Sequence, residues 1–118
     1  MAEVLLDTDV LVDHLRGAHH LTRFAEGFAY SVVTRAELFA GRATDETRVR
    51  ALLAPMREID VGRGIAERAG ALRRSLPILM PDALIAATAL EAGVPLATRN
   101  RRDYEGVTGL TLLDPAGG

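Results

Sequence analysis

The sequence lacks cysteine altogether, which excludes disulfide bonds and thiolate metal sites. Any metal ion would therefore be bound by carboxylates or histidines, and the absence fits a reducing cytosol. Long apolar runs are missing too, since the longest, Ala83–Leu90, is far shorter than the roughly 20 residues that span a bilayer. No secretion-signal pattern opens the chain. We therefore expect a cytoplasmic protein with no membrane partner.

Lysine is also absent, because all 14 basic residues are arginine. The net charge of −2 argues mildly against a nucleic-acid partner. Arginine, however, binds phosphate through two parallel hydrogen bonds, and Arg99, Arg101 and Arg102 lie within one short segment. A nuclease with an acidic metal site and an arginine rim would have a net charge near zero. These three arginines are therefore candidate contacts for a nucleic-acid backbone.

The length of 118 residues, with 48% hydrophobic and 25% charged residues, predicts a single folded domain over residues 1–118. Short apolar strands alternate with helices, which is typical of an α/β fold with a mostly parallel sheet of four or five strands. The predicted strands are Ala2–Leu6, Phe28–Val32, Val94–Thr98 and Leu110–Leu113, and Arg57–Val61 is either a short strand or an extended link. The predicted helices are Thr8–Arg16, His19–Glu26, one from Ser31 or Thr34 to about Gly41, Thr44–Met56, Gly64–Leu76 and Asp82–Ala92.

Two acidic segments follow predicted strands. Asp7 ends the first strand, and Asp103 lies in the polar stretch Thr98–Tyr104 after a later one. Ligands of open α/β sheets bind outside the carboxyl ends of the strands, which favours a functional role. The simpler alternatives are a helix N-cap at Asp7 and an ordinary polar loop at 98–104. Thr8 and Asp9 would cap the first helix equally well, so Asp7 is not required there.

Two further acids lie on predicted helices. Glu37 falls among small apolar residues, and a buried carboxylate there needs a cation or a capping role. Its spacing from Thr34 is that of a capping box. Asp82 follows Pro81 and heads the most apolar helix, so an N-cap is its simpler explanation. The apolar face below Asp82 must pack on the sheet, which brings this carboxylate towards the strand ends.

The four acids together indicate more than each does alone. Carboxylates that converge repel one another, so the cluster requires a hard cation such as Mg²⁺ or Mn²⁺. A metal ion held in this way polarises a phosphate and lowers the pKa of an attacking water. The pattern therefore predicts phosphoryl chemistry.

Four motifs in this order resemble the PIN-domain ribonucleases, and among these most of all the VapC toxins of bacterial type II toxin–antitoxin systems. The resemblance runs from about residue 4 to 114. The motifs are Leu6–Asp13, Ser31–Gly41, Asp82–Leu90 and Ala97–Tyr104.

This resemblance implies a Rossmann-like three-layer α/β/α sandwich. It also implies a Mg²⁺-dependent endoribonuclease, with Mn²⁺ as a substitute, that cleaves tRNA or rRNA, forms a homodimer and is inhibited by a VapB antitoxin. Asp7 and Asp82 match the metal-binding acids. The implied catalytic residues are Asp7, Glu37, Asp82 and Asp103, the supporting ones are Thr8, Thr98 and Asn100, and the RNA-contact candidates are Arg99, Arg101 and Arg102.

The chain departs from the family pattern at two positions. Asp9 stands where the family usually has asparagine, and it either adds charge to the site or caps the helix. Asn100 stands where many members have an acid, while Asp103 matches a second acidic position three residues later. We therefore expect Asp103 to complete the site and Asn100 to line it.

Two other functions compete with this one. Asp7-Thr8-Asp9 is similar to the nucleophile motif of haloacid-dehalogenase-like phosphatases, with Asp7 forming an aspartyl-phosphate. Those enzymes normally need a lysine near the phosphate, and this chain has none. A non-catalytic PIN-like binding module is the other alternative. We expect the tyrosines to pack in the core, and the 44–56 helix to belong to the core or to an antitoxin groove.

Overall fold

A single five-stranded sheet forms the centre of the computed structural model, which describes residues 3–17 and 27–115. The strands are β1 (Val4–Leu6), β2 (Phe28–Ser31), β3 (Arg57–Ile59), β4 (Leu96–Ala97) and β5 (Leu112–Leu113). Their order is β3-β2-β1-β4-β5, and every neighbouring pair is parallel. Strand β1 is therefore central, and the order reverses beside it. The predicted sheet is confirmed, although several strands are shorter than expected.

Helices cover both faces of the sheet, as a three-layer sandwich requires. They are α1 (Thr8–Leu15), α2 (Val32–Phe39), α3 (Glu46–Leu53), α4 (Arg63–Ser75) and α5 (Met80–Ala92), with a short 3₁₀ helix at Arg101–Asp103. Helices α1, α2 and α3 share one core with the sheet, and α4 and α5 share the other. The predicted α/β/α architecture is confirmed. The helix predicted at His19–Glu26 lies outside the described residues.

Helix α5 packs closely against α4, and its buried faces carry small side chains. Ala83, Ala86, Ala87 and Ala89 are fully buried between the sheet and α4. The helix ends at Gly93, whose φ of 69° is left-handed and favours glycine. It begins at Met80, before the predicted start at Asp82. The helix can include Pro81 because residues of the first turn have no N–H partner within the helix, so the missing N–H costs no hydrogen bond.

The helix caps correct some expectations. Asp7 is the N-cap of α1 and accepts a hydrogen bond from Thr8 N, so the prediction that Thr8 or Asp9 caps this helix was wrong. Ser31 caps α2, as one of the two alternatives proposed. Asp82 is not an N-cap, because Leu79 holds that position and Asp82 lies inside the first turn. Within the described ranges no helix is long and apolar enough to cross a membrane.

Candidate active site

Asp7 lies at the end of the central strand, and its carboxylate is almost fully enclosed. The residue is 5% exposed. Its Oδ1 accepts a hydrogen bond from Thr8 N at 2.8 Å, and its Oδ2 accepts one from the Thr98 hydroxyl at 2.8 Å. Thr98 follows β4, the strand beside β1, so the sheet itself brings donor and acceptor together. The site is therefore centred where the strand order reverses, as expected for an open α/β sheet.

Tyr104 connects Asp7 with Asp82. Its side chain is 1% exposed, and its hydroxyl donates to Asp82 Oδ1 at 3.3 Å. Burial and the charges of Asp7 and Asp82 raise the Tyr104 pKa, so the hydroxyl keeps its proton and acts as a donor. Sequence reasoning assigned the tyrosines to the core and missed this contact. The available signal was the position of Tyr104 directly after Asp103, at the end of an acidic segment.

Glu37 reaches the site from α2 through two threonines. The Thr8 hydroxyl donates to Glu37 Oε1 at 2.6 Å and lies 2.9 Å from the Thr34 hydroxyl. Because Thr8 has one hydroxyl proton, Thr34 must donate to Thr8. Thr34 is buried inside the helix and Glu37 is exposed. The expected capping box was therefore wrong, as was the expectation that Glu37 is buried among small residues.

Asp82 lies within the electrostatic reach of the remaining acids. Its side chain is half-buried at the start of α5. Burial raises the Asp82 pKa, the negative charge of Asp103 raises it further and that of Glu37 adds to this, while the Tyr104 hydrogen bond opposes the shift. Asp103 is exposed on the 3₁₀ helix. The structure thus brings Glu37, Asp82 and Asp103 into one electrostatic neighbourhood, next to the enclosed Asp7.

The pKa of Asp7 is raised to about 7, first by burial and then by the neighbouring charge of Asp9. Hydrogen bonds from Thr98 and Thr8 N work in the opposite direction because they stabilise the charged form, and the single Tyr104 proton, which Asp7 shares with Asp82, adds to them. The shift means that the negative charge of Asp7 is incompletely compensated by its protein surroundings. A cation at this position would supply the missing compensation.

Asp9 holds the loop that follows β4. Its Oδ2 accepts hydrogen bonds from Arg99 N at 3.2 Å and from Asn100 Nδ2 at 2.8 Å. Asn100 N in turn donates to the Thr98 hydroxyl at 3.0 Å, which leaves the hydroxyl proton for Asp7. Asn100 therefore acts on Asp7 through Thr98. Asp9 Oδ1 is buried and accepts no hydrogen bond from the described residues.

The three candidate arginines differ in their surroundings. Arg99 Nε forms an ion pair with Asp13 Oδ2 at 2.8 Å. Arg101 Nη1 donates weakly to Leu112 O at 3.4 Å, and Arg102 is exposed on the same 3₁₀ helix. A phosphate would have to compete with Asp13 for Arg99. The expected role of these three arginines in binding RNA stays a prediction.

The donor set fits a hard cation only in part. Across residues 3–17 and 27–115, no three acid or histidine side chains stand close enough together to enclose a metal ion. Mg²⁺, however, usually keeps several waters and binds one or two carboxylates together with a substrate phosphate. Asp7 and Asp82 provide two such carboxylates. They are linked through Tyr104, and both have raised pKa values. The residues present therefore fit a magnesium ion bound by two carboxylates.

Comparison with known proteins identifies relatives over most of the chain. The PIN domain family model matches residues 4–108. The chain is 40% identical to "Ribonuclease VapC10" of Mycobacterium tuberculosis, in an alignment that covers 82% of each protein. A chain of a toxin–antitoxin complex from Klebsiella pneumoniae is 31% identical, with a TM-score of 0.78 and coverage of 96% of this chain and 98% of that one. A chain of DNA-bound VapBC from Salmonella typhimurium has a TM-score of 0.85 at 21% identity, with 98% and 99% covered, which shows a shared fold.

The raised pKa of Asp7 predicts a pH-dependent stability. The folded state keeps this proton up to a pH of about 7, whereas an unfolded aspartate releases it near pH 4. Stability should therefore fall as the pH rises through this window. Asparagine cannot ionise, so Asp7→Asn should be more stable than the wild type at pH 8, by at most roughly 4 kcal/mol. Its advantage should shrink towards pH 5.

Urea unfolding in EDTA at pH 5 and pH 8 measures this effect. Asp60→Asn is the matched control, because Asp60 is exposed on the connection between β3 and α4. The difference between the two variants separates the effect of the buried carboxylate from that of losing a surface charge. An equal effect of Asp7→Asn at the two pH values would contradict the assignment.

Two substitutions should move the Asp7 pKa in opposite directions. Asp9→Asn removes a like charge and should lower it, whereas Thr98→Val removes a hydrogen bond to the carboxylate and should raise it. Carbon-13 NMR titration of the Asp7 carboxyl group measures both shifts. Thr88→Val is the control, since the buried Thr88 hydroxyl donates to Leu84 O within its own helix. Shifts of the same sign in the two variants would refute the arrangement.

Proposed function

The chain belongs to the PIN-domain family, and on this basis we propose that it is a metal-dependent endoribonuclease, the toxin of a toxin–antitoxin pair. One observation carries the proposal. Two carboxylates with raised pKa values, Asp7 and Asp82, meet around the Tyr104 hydroxyl at the carboxyl end of the sheet. The 40% identity to a protein named as a ribonuclease supports the same chemistry.

Asp7 and Asp82 are the proposed metal ligands, and Mg²⁺ is the proposed ion, with Mn²⁺ as a substitute. Such an ion would polarise a phosphodiester and lower the pKa of a bound water. Thr98 and Thr8 N hold the Asp7 carboxylate in one orientation, which supports this role. The Tyr104 hydroxyl holds the Asp82 carboxylate in one orientation from the buried side.

Glu37 is the proposed acceptor of the proton from the attacking water. Its carboxylate is exposed, so water and substrate can reach it, and the Thr8 hydroxyl fixes its position beside the first metal ligand. Asp103 is the proposed fourth acid, because its charge acts on Asp82. Asn100 has a supporting role instead, since its side chain binds Asp9 and its N–H binds Thr98.

The proposed substrate is a cellular RNA, either tRNA or rRNA, and the proposed inhibitor is a VapB-type antitoxin. Solved toxin–antitoxin complexes with the same fold support an antitoxin partner. We further propose a homodimer in the cytoplasm, with residues 1–118 as one PIN domain. Co-purification identifies the protein partners, and sequencing of RNA ends after expression identifies the RNA substrate.

The phosphatase alternative is not favoured. Phosphatases that use an aspartyl nucleophile normally need a lysine beside the phosphate, and this chain has none. The binding-module alternative leaves unexplained why four acids share one edge of the sheet. Family membership also supports a nuclease over both.

Removing either proposed metal ligand should abolish RNA cleavage. Asp7→Asn and Asp82→Asn should each lower the cleavage rate by at least roughly 100-fold, as expected when a principal source of charge stabilisation is removed. Asp60→Asn should retain wild-type activity. Cleavage of total RNA by pure protein in Mg²⁺, with EDTA as a second control, measures the effect. Full activity of either site variant in a folded protein would refute the proposal.

A further inference from the structure

A cleft of about 290 Å³ opens beside the acid cluster, between α1, the end of α2 and the start of α3. Its floor is apolar and consists of Val12, Leu15, Leu38 and Val49. Leu38 and Val49 are buried and belong to the core of this face, so the floor is fixed. The volume lies near the lower end of ligand pockets, roughly 300 to 1,000 Å³, and admits a group the size of one nucleotide.

Three arginines line this cleft without an ionic partner among the described residues. Arg16, Arg42 and Arg48 are exposed, and none of their side chains forms an ion pair with a residue that the structure describes. Some arginines elsewhere are neutralised by carboxylates, as Arg35 is by Glu58 and Arg57 is by Glu3. The cleft therefore concentrates guanidinium groups that can bind an anion.

The two acids of the cleft do not cancel this charge. An oxygen of Asp45 accepts a hydrogen bond from Arg48 N and caps α3, so its charge is directed at the helix N-terminus. Glu37 lines the end of the cleft nearest the catalytic acids, where Thr8 binds it. A single molecule could therefore occupy both the cleft and the acid cluster.

We propose that this cleft binds a nucleotide of single-stranded RNA next to the phosphodiester that is cleaved. The base would pack on the apolar floor, and the flanking phosphates would bind Arg16, Arg42 and Arg48. Apolar and planar surfaces combined with arginines are how proteins hold unstacked bases and their backbone. The inference rests on the proposed ribonuclease function and extends it to the substrate-binding surface. It assigns RNA contacts to arginines of the α1–α3 face, in addition to the candidates at 99–102.

Charge reversal at the cleft tests this assignment. Arg48→Glu and Arg42→Glu should each weaken RNA binding about tenfold, because attraction to a phosphate becomes repulsion. Arg63→Glu is the matched control. Arg63, like Arg48, is an exposed first-turn arginine without an ion pair to a described residue, but it lies on α4, across the sheet. An acid in the first turn suits the helix dipole in both Arg48→Glu and Arg63→Glu, so both should fold.

Fluorescence anisotropy in EDTA measures binding without cleavage. The probe is a labelled unstructured pyrimidine RNA of about 12 nucleotides, within the usual site sizes of roughly 4–16. Cleavage kinetics in Mg²⁺ complete the test, with KM raised and kcat little changed in the cleft variants. The slope of log Kd against log salt should become shallower by about 0.7 for each phosphate that a variant no longer neutralises.

The outcomes separate the two proposals. If the wild type cleaves RNA and both cleft variants bind and cleave as Arg63→Glu does, the cleft assignment is overturned and the ribonuclease function stands. That result is also the one expected if the cleft receives an acidic peptide instead. If the wild type neither binds nor cleaves RNA, the ribonuclease function fails, and the cleft assignment fails with it.

Discussion

The burial of the Asp7 carboxylate at the end of the central strand is the constraint on which the site depends. Strand β1 delivers this group to the point where the strand order reverses, and β4 delivers Thr98 to bind it. Burial and the charge of Asp9 leave the carboxylate with a pKa of about 7, so the protein alone does not satisfy its negative charge. The neighbouring acids add to this imbalance, which a divalent cation would resolve.

The packing of the fold serves this arrangement. The alanine-rich faces of α5 are buried in the core that this helix shares with α4 and the sheet, and the start of α5 places Asp82 beside Tyr104. Tyr104 then spans the short distance to Asp82 from the buried side. On the opposite face, Thr34 and Thr8 form a relay that positions Glu37. Asp7, Glu37 and Asp82 each accept a hydrogen bond from a hydroxyl group of another element, which explains why threonine and tyrosine recur in the site.

Much of the fold could be predicted from the sequence, because short apolar strands alternate with amphipathic helices. The convergence of Asp7 with the segment after β4 could be predicted as well, since Asp7 and Thr98 both follow parallel strands. The hydrogen-bond partners of the other acids could not. Whether Thr34 caps α2 or lies within it depends on where the helix begins, and Ser31 takes the cap. Which face of α2 packs on the core decides that Thr34 is buried and Glu37 is exposed. No periodic sequence pattern marks Tyr104 as a site residue, because its role arises from a contact between the end of the 3₁₀ helix and the distant helix α5.

Joint binding of a divalent cation by Asp7 and Asp82 is the central claim. Calorimetric titration of the metal-free protein with Mg²⁺ near pH 6.5, in buffers of different ionisation enthalpy, tests this most directly. Because the pKa of Asp7 is about 7, binding should release a proton from the wild type. The binding should disappear in Asp7→Asn and in Asp82→Asn and persist in Asp60→Asn. Undiminished Mg²⁺ binding by both site variants, without proton release, would contradict the claim.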